Sequence, residues 1–177
     1  MAHQIRRIVT GFDGGGRSTV SFEGIADNVL AIASWEGAYV TELWSTDEMP
    51  VDNGGDADRG ARPIRHDPTP SGTIFRVVEI PPEADGGFDI DAAFDSLGSS
   101  KRPSEEDSKK HGTMHYTDSV DYIVVIKGEM AMVMEEGETI LRQGDCIVQR
   151  GTKHAWVNRG SEPCVIAAVL VDAKPMP

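Results

Sequence analysis

Three side chains in the C-terminal half of the sequence, His115, Asp121 and His154, are of the types that bind metal ions or transfer protons. Successive side chains of a β-strand point to opposite faces, so the odd-numbered residues of a continuous strand share one face. Between positions 115 and 125 the informative odd-numbered residues are His115, Thr117, Asp121, Ile123 and Val125. The polar members lie at one end and the apolar members at the other. This pattern predicts a strand that opens into a cavity at its polar end and packs in a core along the rest.

His154 and Trp156 repeat this arrangement, two residues apart on a later segment. Two histidines and one carboxylate can bind a divalent iron, manganese, nickel or zinc ion and leave coordination positions open. Without a metal, His115 and Asp121 could form a hydrogen-bonded pair in which the carboxylate polarises the imidazole into a general base. His154 would then be a neutral histidine, satisfied by Thr117 or water. Such a pocket could also bind a ligand without changing it.

The elements that must position these residues are short strands. The C-terminal part of the chain holds six strand-like segments, at residues 121–128, 130–134, 139–141, 145–148, 153–157 and 164–171. Strands at this regular spacing, joined by glycine turns, indicate an antiparallel sandwich or barrel rather than βαβ units. We therefore predict an all-β fold.

Before position 113 the sequence is less regular. Strand patterns occur at residues 6–10, 18–22, 38–44 and 73–80, and residues 89–97 have the apolar spacing of two helical turns. Residues 49–72 are rich in Asp, Gly, Pro and Arg, which predicts a long irregular loop. Residues 99–110 are polar and of mixed charge, and we expect them to be mobile. Two histidines of this region, His66 and His111, are most simply surface residues.

The residues of the C-terminal half resemble a known pattern. It consists of His115-Tyr116-Thr117, Asp121 and Gly128, followed by Gly144-Asp145, Gly151, His154 and Asn158. This is similar to the two motifs of the cupin superfamily, whose members are small jelly-roll barrels. The first cupin motif has His-any-His, then Glu and, seven residues later, Gly. In the second, a Gly-Asp turn leads to a His and then an Asn.

The sequence departs from the cupin pattern at three places. Thr117 stands at the second His position, Asp121 stands at the Glu position, and the turn before His154 lacks the usual Pro. Typical cupins hold a divalent metal with three His and one Glu. The resemblance thus implies a reduced ligand set of His115, Asp121 and His154 for one divalent metal (Fe, Mn, Ni or Zn), or otherwise no cofactor. Thr117 would hydrogen-bond a metal-bound water or the substrate, so His115, Asp121 and Thr117 are the expected catalytic residues.

The resemblance also implies the organisation of the chain. Residues 1–177 are expected to form a single cupin domain, with the jelly-roll β-barrel in residues 73–173 and an N-terminal strand extension in residues 1–72. Residues 83–110 form an insertion with a short helix, which enters just before His115. We expect this insertion to be a lid over the barrel mouth, with Phe88, Ile90, Phe94 and Leu97 on its apolar underside.

The expected substrate pocket contains apolar and aromatic side chains beside the polar ones. Its predicted members are Tyr116, Trp156, Ile123 and Val125. A pocket of this composition suits a small aromatic or keto metabolite better than a sugar phosphate. Compact cupins with the His-any-Thr variant resemble proteins labelled oxidoreductases in aromatic and polyketide metabolism. The leading interpretation is therefore a metal-dependent oxidoreductase or dioxygenase-like enzyme. The alternatives are a metal-free isomerase, epimerase or dehydratase that uses His115 and Asp121, and a non-catalytic metabolite-binding protein.

Composition limits the partners. The chain has 17 basic and 29 acidic residues and a formal net charge of −12, which disfavours nucleic acid and anionic membranes because both require a basic surface. The longest apolar run, residues 165–171, is far shorter than the roughly 20 residues of a membrane-spanning helix. We expect a cytoplasmic protein whose two cysteines are reduced core residues. The strand-rich N-terminus favours a homodimer, since cupins frequently pair by exchanging such strands.

Overall fold

The computed structural model describes residues 1–84 and 87–176. Its strands are β1 (Arg6–Phe12), β2 (Ser18–Ile25), β3 (Val29–Ala31), β4 (Tyr39–Thr46), β5 (Thr73–Ile80), β6 (Ser119–Lys127), β7 (Glu129–Met134), β8 (Glu138–Arg142), β9 (Cys146–Arg150), β10 (His154–Val157) and β11 (Cys164–Asp172). Its helices are α1 (Ile90–Ser96) and α2 (Glu105–Lys110), together with a 3₁₀ turn at Arg59–Ala61. The predicted strand segments are all present, within a few residues at each end.

Two sheets form the body of the molecule, and every pairing within them is antiparallel. The larger sheet has the order β3-β4-β5-β11-β6-β9, and the smaller has the order β10-β7-β8. One buried core takes side chains from both, for example Ile123 of β6 and Leu141 of β8. The two sheets thus form a jelly-roll sandwich, which confirms the predicted all-β cupin fold.

Strand β6 shows why the parity argument holds. Its odd-numbered residues from Ser119 to Val125 are buried, whereas Tyr122, Val124 and Ile126 are exposed on the outer face. The strand continues towards the site through an isolated bridge between His115 and β10, because His115 and His154 exchange both backbone hydrogen bonds at 2.9 Å. The first and second cupin motifs are therefore joined at this bridge.

The N-terminal extension has two parts. Strands β3 and β4 lengthen the large sheet beside β5, while β1 and β2 form a separate two-stranded hairpin. The hairpin exposes several large apolar side chains, namely Ile8, Phe12, Val20 and Ile25. A two-stranded hairpin is marginally stable by itself, so these exposed groups make it a candidate contact surface.

The insertion contains two capped helices. Helix α1 begins at its cap Asp89, whose side chain accepts a hydrogen bond from the Ala92 backbone at 3.0 Å. Helix α2 lies within residues 99–110, where the sequence pattern predicts no helix. The reason is a capping box: Ser104 and Asp107 bond reciprocally to each other's backbone N–H. Asp107 also bonds Lys153 at 2.8 Å, which connects α2 to the residue directly before β10.

The cysteines are both free thiols, as predicted, but only one lies in the core. Cys164 is fully buried in β11, and burial raises the pKa of its thiol to about 11. The core placement is wrong for Cys146, which points outward from β9 and is exposed. Within residues 1–84 and 87–176, no helix has both the length and the apolar character needed to cross a bilayer.

Candidate functional site

A cavity of about 150 Å³ lies between the sheets, and the insertion covers part of it. A cavity of roughly this volume can hold one benzene-sized ring. Strands of both sheets contribute to its wall, as do α1 and the loop that contains His66. Most lining side chains are apolar, and the polar ones include His66, His115, Thr117, Asp121 and His154. The arrangement is that of a small-molecule pocket with a few convergent polar groups.

Most of the expected site residues meet at this cavity. It is lined by His115, Thr117, Asp121, Ile123, His154 and Trp156. Val125 lies deeper, 1% exposed in the core, because the cavity ends before it along β6. The pocket role predicted for Tyr116 is wrong: the residue is 41% exposed and places its ring 4.9 Å from Lys101 Nζ. Tyr116 lies between the His115 bridge and the start of β6, and its side chain faces away from the cavity.

His115 and His154 have the same hydrogen-bonding arrangement. His115 Nδ1 lies 2.8 Å from the carbonyl oxygen of Thr113, and His154 Nδ1 lies 2.9 Å from that of Thr152. A carbonyl oxygen can only accept, so each Nδ1 must carry a proton. In the neutral imidazole the Nε2 atom is then unprotonated. The two ring centroids lie 4.5 Å apart, so the site has two neighbouring Nε2 lone pairs.

Burial keeps both rings neutral. Desolvation lowers the pKa of His154 to about 4. It also lowers the pKa of His115 well below its ordinary value, and the neighbouring His154 adds to this effect. A charged imidazole loses its hydration in such a place without gaining an anionic partner. Both side chains therefore act as neutral acceptors at physiological pH.

Asp121 belongs to a different hydrogen-bonded group. Ser119 Oγ lies 2.6 Å from Asp121 Oδ1 and 2.7 Å from Thr117 Oγ1, and all three residues are buried. A hydroxyl has one hydrogen, so Ser119 donates to one of these atoms at a time. Desolvation raises the pKa of Asp121 to about 6, and the Ser119 hydroxyl partly opposes this. The expected hydrogen-bonded pair of His115 and Asp121 is not formed: His115 bonds Thr113 through Nδ1, and no hydrogen bond joins His115 Nε2 to Asp121.

The predicted metal ligands fit a metal only in part. His115 and His154 have the arrangement of ligating histidines, whose other ring nitrogen donates to a carbonyl. Asp121 does not join them in this arrangement, although Ser119 occupies only Oδ1 of its carboxylate. Over residues 1–84 and 87–176, no three His, Cys, Asp or Glu side chains come together in a group that could hold a metal ion. The described arrangement thus supplies two of the three expected ligands.

His66 is a site residue that sequence reasoning placed on the surface. Its ring centroid lies 5.0 Å from that of His115 and 5.8 Å from that of Phe94. His66 Nδ1 hydrogen-bonds with Ser99 Oγ at 3.2 Å and lies 2.9 Å from Asp67 Oδ1. Among the described residues, no donor is aligned to hydrogen-bond Asp67 Oδ1. The long loop carries His66 to the cavity, and no local periodicity in the sequence indicates this.

A buried ion pair holds that loop in place. Arg76 and Glu42 are 4% and 2% exposed, and Arg76 Nε donates to Glu42 Oε2 at 3.1 Å. The other guanidinium nitrogens donate to the backbone carbonyls of Arg65 and His66. Burial raises the pKa of Glu42, although the charge of Arg76 opposes the shift. Arg76 therefore fixes the backbone that presents His66.

The insertion supplies an aromatic wall. Phe88 stacks on Trp35 of the N-terminal extension, with ring centroids 4.3 Å apart and planes within 7°. Phe88, Phe94 and Leu97 all line the cavity, as expected for the underside of a covering segment. Ile90 does not, and its side chain packs close to Gly112 instead. His111 also lies outside the cavity, with Nε2 3.1 Å from Glu83.

The family follows from the match between this geometry and a known domain. The family model described as "Cupin domain" matches residues 104–171, which contain both motif histidines, strands β6 to β10 and all but the last residue of β11. The chain thus contains a cupin domain at residues 104–171. The wall residues Trp35, Phe88 and Phe94 lie outside the matched range, so part of the cavity of this cupin is built by segments beyond the family domain.

Curated relatives of this cupin come from fungi. Over 96% of its length it is 28% identical to the cupin-domain-containing oxidoreductase virC of Hypocrea virens, of which the match covers 77%. It is likewise 28% identical over 96% of its length to the cupin-domain-containing oxidoreductase fogC of Aspergillus ruber, of which 73% is covered. A match over 60% of the chain is 36% identical to a phomopsin biosynthesis cluster protein of Diaporthe leptostromiformis and spans 44% of that protein. The cupin is thus similar, at low identity, to proteins named oxidoreductases.

Proposed function

We propose that this cupin is an oxidoreductase-like enzyme that acts on a single-ring aromatic or keto metabolite bound in the cavity. The observation that carries the proposal is the composition of the cavity lining: apolar and aromatic side chains surround a ring-sized space, and the neutral histidines His115 and His154 are part of the same lining. Apolar walls bind the ring by burial, and the few polar groups fix its orientation. The relatives named oxidoreductases support the reaction class.

The roles of the chain's own residues follow from their contacts. Trp35, Phe88 and Phe94 exclude water and pack on the ring, while the Nε2 atoms of His115 and His154 bind its polar group. Asp121, with its raised pKa of about 6, can exchange a proton through the hydroxyls of Ser119 and Thr117.

A divalent metal in the cavity would use His115 and His154, and it would supply the redox chemistry that side chains lack. Its third ligand could be Asp121, because Ser119 occupies only Oδ1 of that carboxylate. The metal-free alternative needs a contact between His115 and Asp121, whereas the hydrogen bonds of these two side chains go to Thr113 and Ser119.

A substrate screen with matched variants tests the proposal. Purified protein is incubated in air with single-ring phenols, aromatic aldehydes and aryl ketones, and consumption is followed by chromatography and an oxygen electrode. Elemental analysis of the same sample reports bound metal. We expect turnover that His154→Ala abolishes and that His111→Ala, which changes a histidine outside the cavity, leaves intact. Binding of these compounds without turnover would identify a binding protein. If neither binding nor turnover is detected, the proposal is refuted.

A further inference from the structure

A stacked pair of rings lies between the cavity and solvent. Trp35 and Phe88 both line the cavity, with ring centroids 4.3 Å apart and planes within 7°. Their neighbours along the chain are all exposed, namely Ser34, Glu36, Gly87 and Asp89. A planar ligand does not fit between the two rings, because carbon atoms in contact are already about 3.5–4.0 Å apart. The pair therefore forms a closed part of the wall.

The turn that carries Trp35 is fixed by hydrogen bonds to the insertion. Ser34 Oγ donates to the carbonyl oxygen of Asp89 at 2.7 Å, and the Ala33 N–H donates to Ser96 Oγ at 3.3 Å. Ser34 has a φ of 58°, in the left-handed region that a residue with a Cβ atom rarely adopts. Such a backbone persists only where its surroundings hold it. The extension and the insertion together thus hold the ring of Trp35 against its partner.

The strands of the cavity wall offer no further space. Val78 of β5, Ile123 of β6 and Ala168 of β11 line the cavity from strands that are paired with each other. Ile123 and Ala168 are also buried members of the main core, and a close-packed core gives way only at a cost in stability. The enclosed volume of about 150 Å³ holds one benzene-sized ring. A second fused ring would have to take the space of Trp35 or Phe88.

Resting on the proposed function, we propose that Trp35 and Phe88 are the specificity-determining residues of the site and that their stack limits the ligand to a single ring. Loss of either ring joins its volume to the cavity, and the site then accepts two fused rings. Among the described residues, neither member of the pair stacks on a motif histidine. Selection by size is therefore separate from the chemistry at the histidines.

Two fluorinated ketones of different size test the limit. Binding of 4′-fluoroacetophenone, which has one ring, and of 2-acetyl-6-fluoronaphthalene, which has two fused rings, to the purified protein is followed by fluorine NMR titration. An unrestricted apolar site would favour the larger compound, since it buries more surface. We expect the wild type instead to bind the one-ring ketone at least about ten-fold more tightly. Equal affinities, or tighter binding of the two-ring ketone, would overturn the inference and leave the proposed function standing. If neither ketone binds, the proposed function fails as well.

Variants assign the limit to the pair. Trp35→Ala and Phe88→Ala should each raise the affinity for the two-ring ketone, relative to the one-ring ketone, by about ten-fold. General damage to the fold would weaken the binding of both ketones alike, so the ratio of the two affinities reports on the wall. Phe75→Ala removes an exposed ring from the outer face of β5 and is the matched control, which should leave the ratio unchanged. If Trp35→Ala does not fold, Phe88→Ala and the wild-type ratio still decide. An unchanged ratio in the folded variants would overturn the inference.

Discussion

The imidazole rings of His66 and His115 lie with their centroids 5.0 Å apart, although one residue belongs to the N-terminal extension and the other to the first cupin motif. The contact depends on the loop before β5, which Arg76 anchors through two backbone carbonyls. The ion pair beneath the cavity therefore acts on the site through the loop, and its removal should affect both stability and site geometry.

Glu42→Ala should destabilise the protein by roughly 3–5 kcal/mol, because it leaves the buried guanidinium of Arg76 without its anion. Urea unfolding at neutral pH measures the change. The exposed Glu36 offers a control, and Glu36→Ala should change stability by less than about 0.5 kcal/mol. The double variant Glu42→Ala/Arg76→Met should recover much of the loss. A loss below about 1 kcal/mol for Glu42→Ala would show that the pair is not buried as described.

Because of Asp121, the free energy of unfolding should decrease as pH rises. Burial raises its pKa in the folded protein to about 6 from an ordinary 3.8, so the folded state binds the proton more tightly than the unfolded state. Stability is then highest below the unfolded pKa and decreases up to about pH 6. Two pKa units correspond to about 3 kcal/mol. Asp121→Asn, which keeps an oxygen for Ser119, should lack this decrease.

The comparison of urea unfolding at pH 4 and pH 7.5 measures the effect of Asp121→Asn. From pH 4 to pH 7.5, the free energy of unfolding of the variant should rise relative to that of the wild type by up to about 3 kcal/mol. Asp56→Asn, at an exposed loop position, serves as the control and should follow the wild type. Parallel pH profiles for Asp121→Asn and wild type would contradict the raised pKa.

Asp107→Ala should destabilise helix α2 and its attachment to β10. The variant loses the capping box with Ser104 and the 2.8 Å contact with Lys153, which together are worth about 1–2 kcal/mol. Lys153 and Ser104 lower the pKa of Asp107, so the difference should persist above about pH 4 and vanish as pH falls below it. Glu106→Ala, at an exposed neighbour of the same helix, should show little change. A pH-independent loss would point to packing rather than charge.

We propose that the hairpin of β1 and β2 contacts a second copy of the chain. The hairpin exposes Ile8 and Phe12, and the outer face of β6 exposes Tyr122 and Val124. One chain therefore carries two exposed apolar surfaces, and burying them in a dimer would remove them from water. Sedimentation velocity should show a dimer for the wild type. Ile8→Ser/Phe12→Ser should shift it towards monomer, while Arg17→Ser at the hairpin turn should not. A monomeric wild type would refute the proposal.

The strands and the motif residues could be predicted because their signals are local. Alternation along β6 places Asp121 and Ile123 on the cavity face, and the same rule, applied to Tyr116, predicts its outward direction. His66 and Arg76 reach the site through a loop and a buried ion pair, which join residues distant in sequence. Contacts of this kind leave no periodic pattern in the sequence. The sequence also gives no signal that Ser119 is the hydrogen-bond partner of Asp121. Only the folded strand places the Ser119 hydroxyl between Asp121 and Thr117.

The aromatic wall is made largely by Trp35, Phe88 and Phe94, which lie outside the matched cupin range of residues 104–171. Ligand choice and motif chemistry are therefore encoded in different stretches of the chain. Substitutions in the extension or the insertion could alter the aromatic wall and leave both motifs unchanged. Two cupins with identical motifs could then serve unrelated metabolites, and their divergence would be visible only in these outer segments.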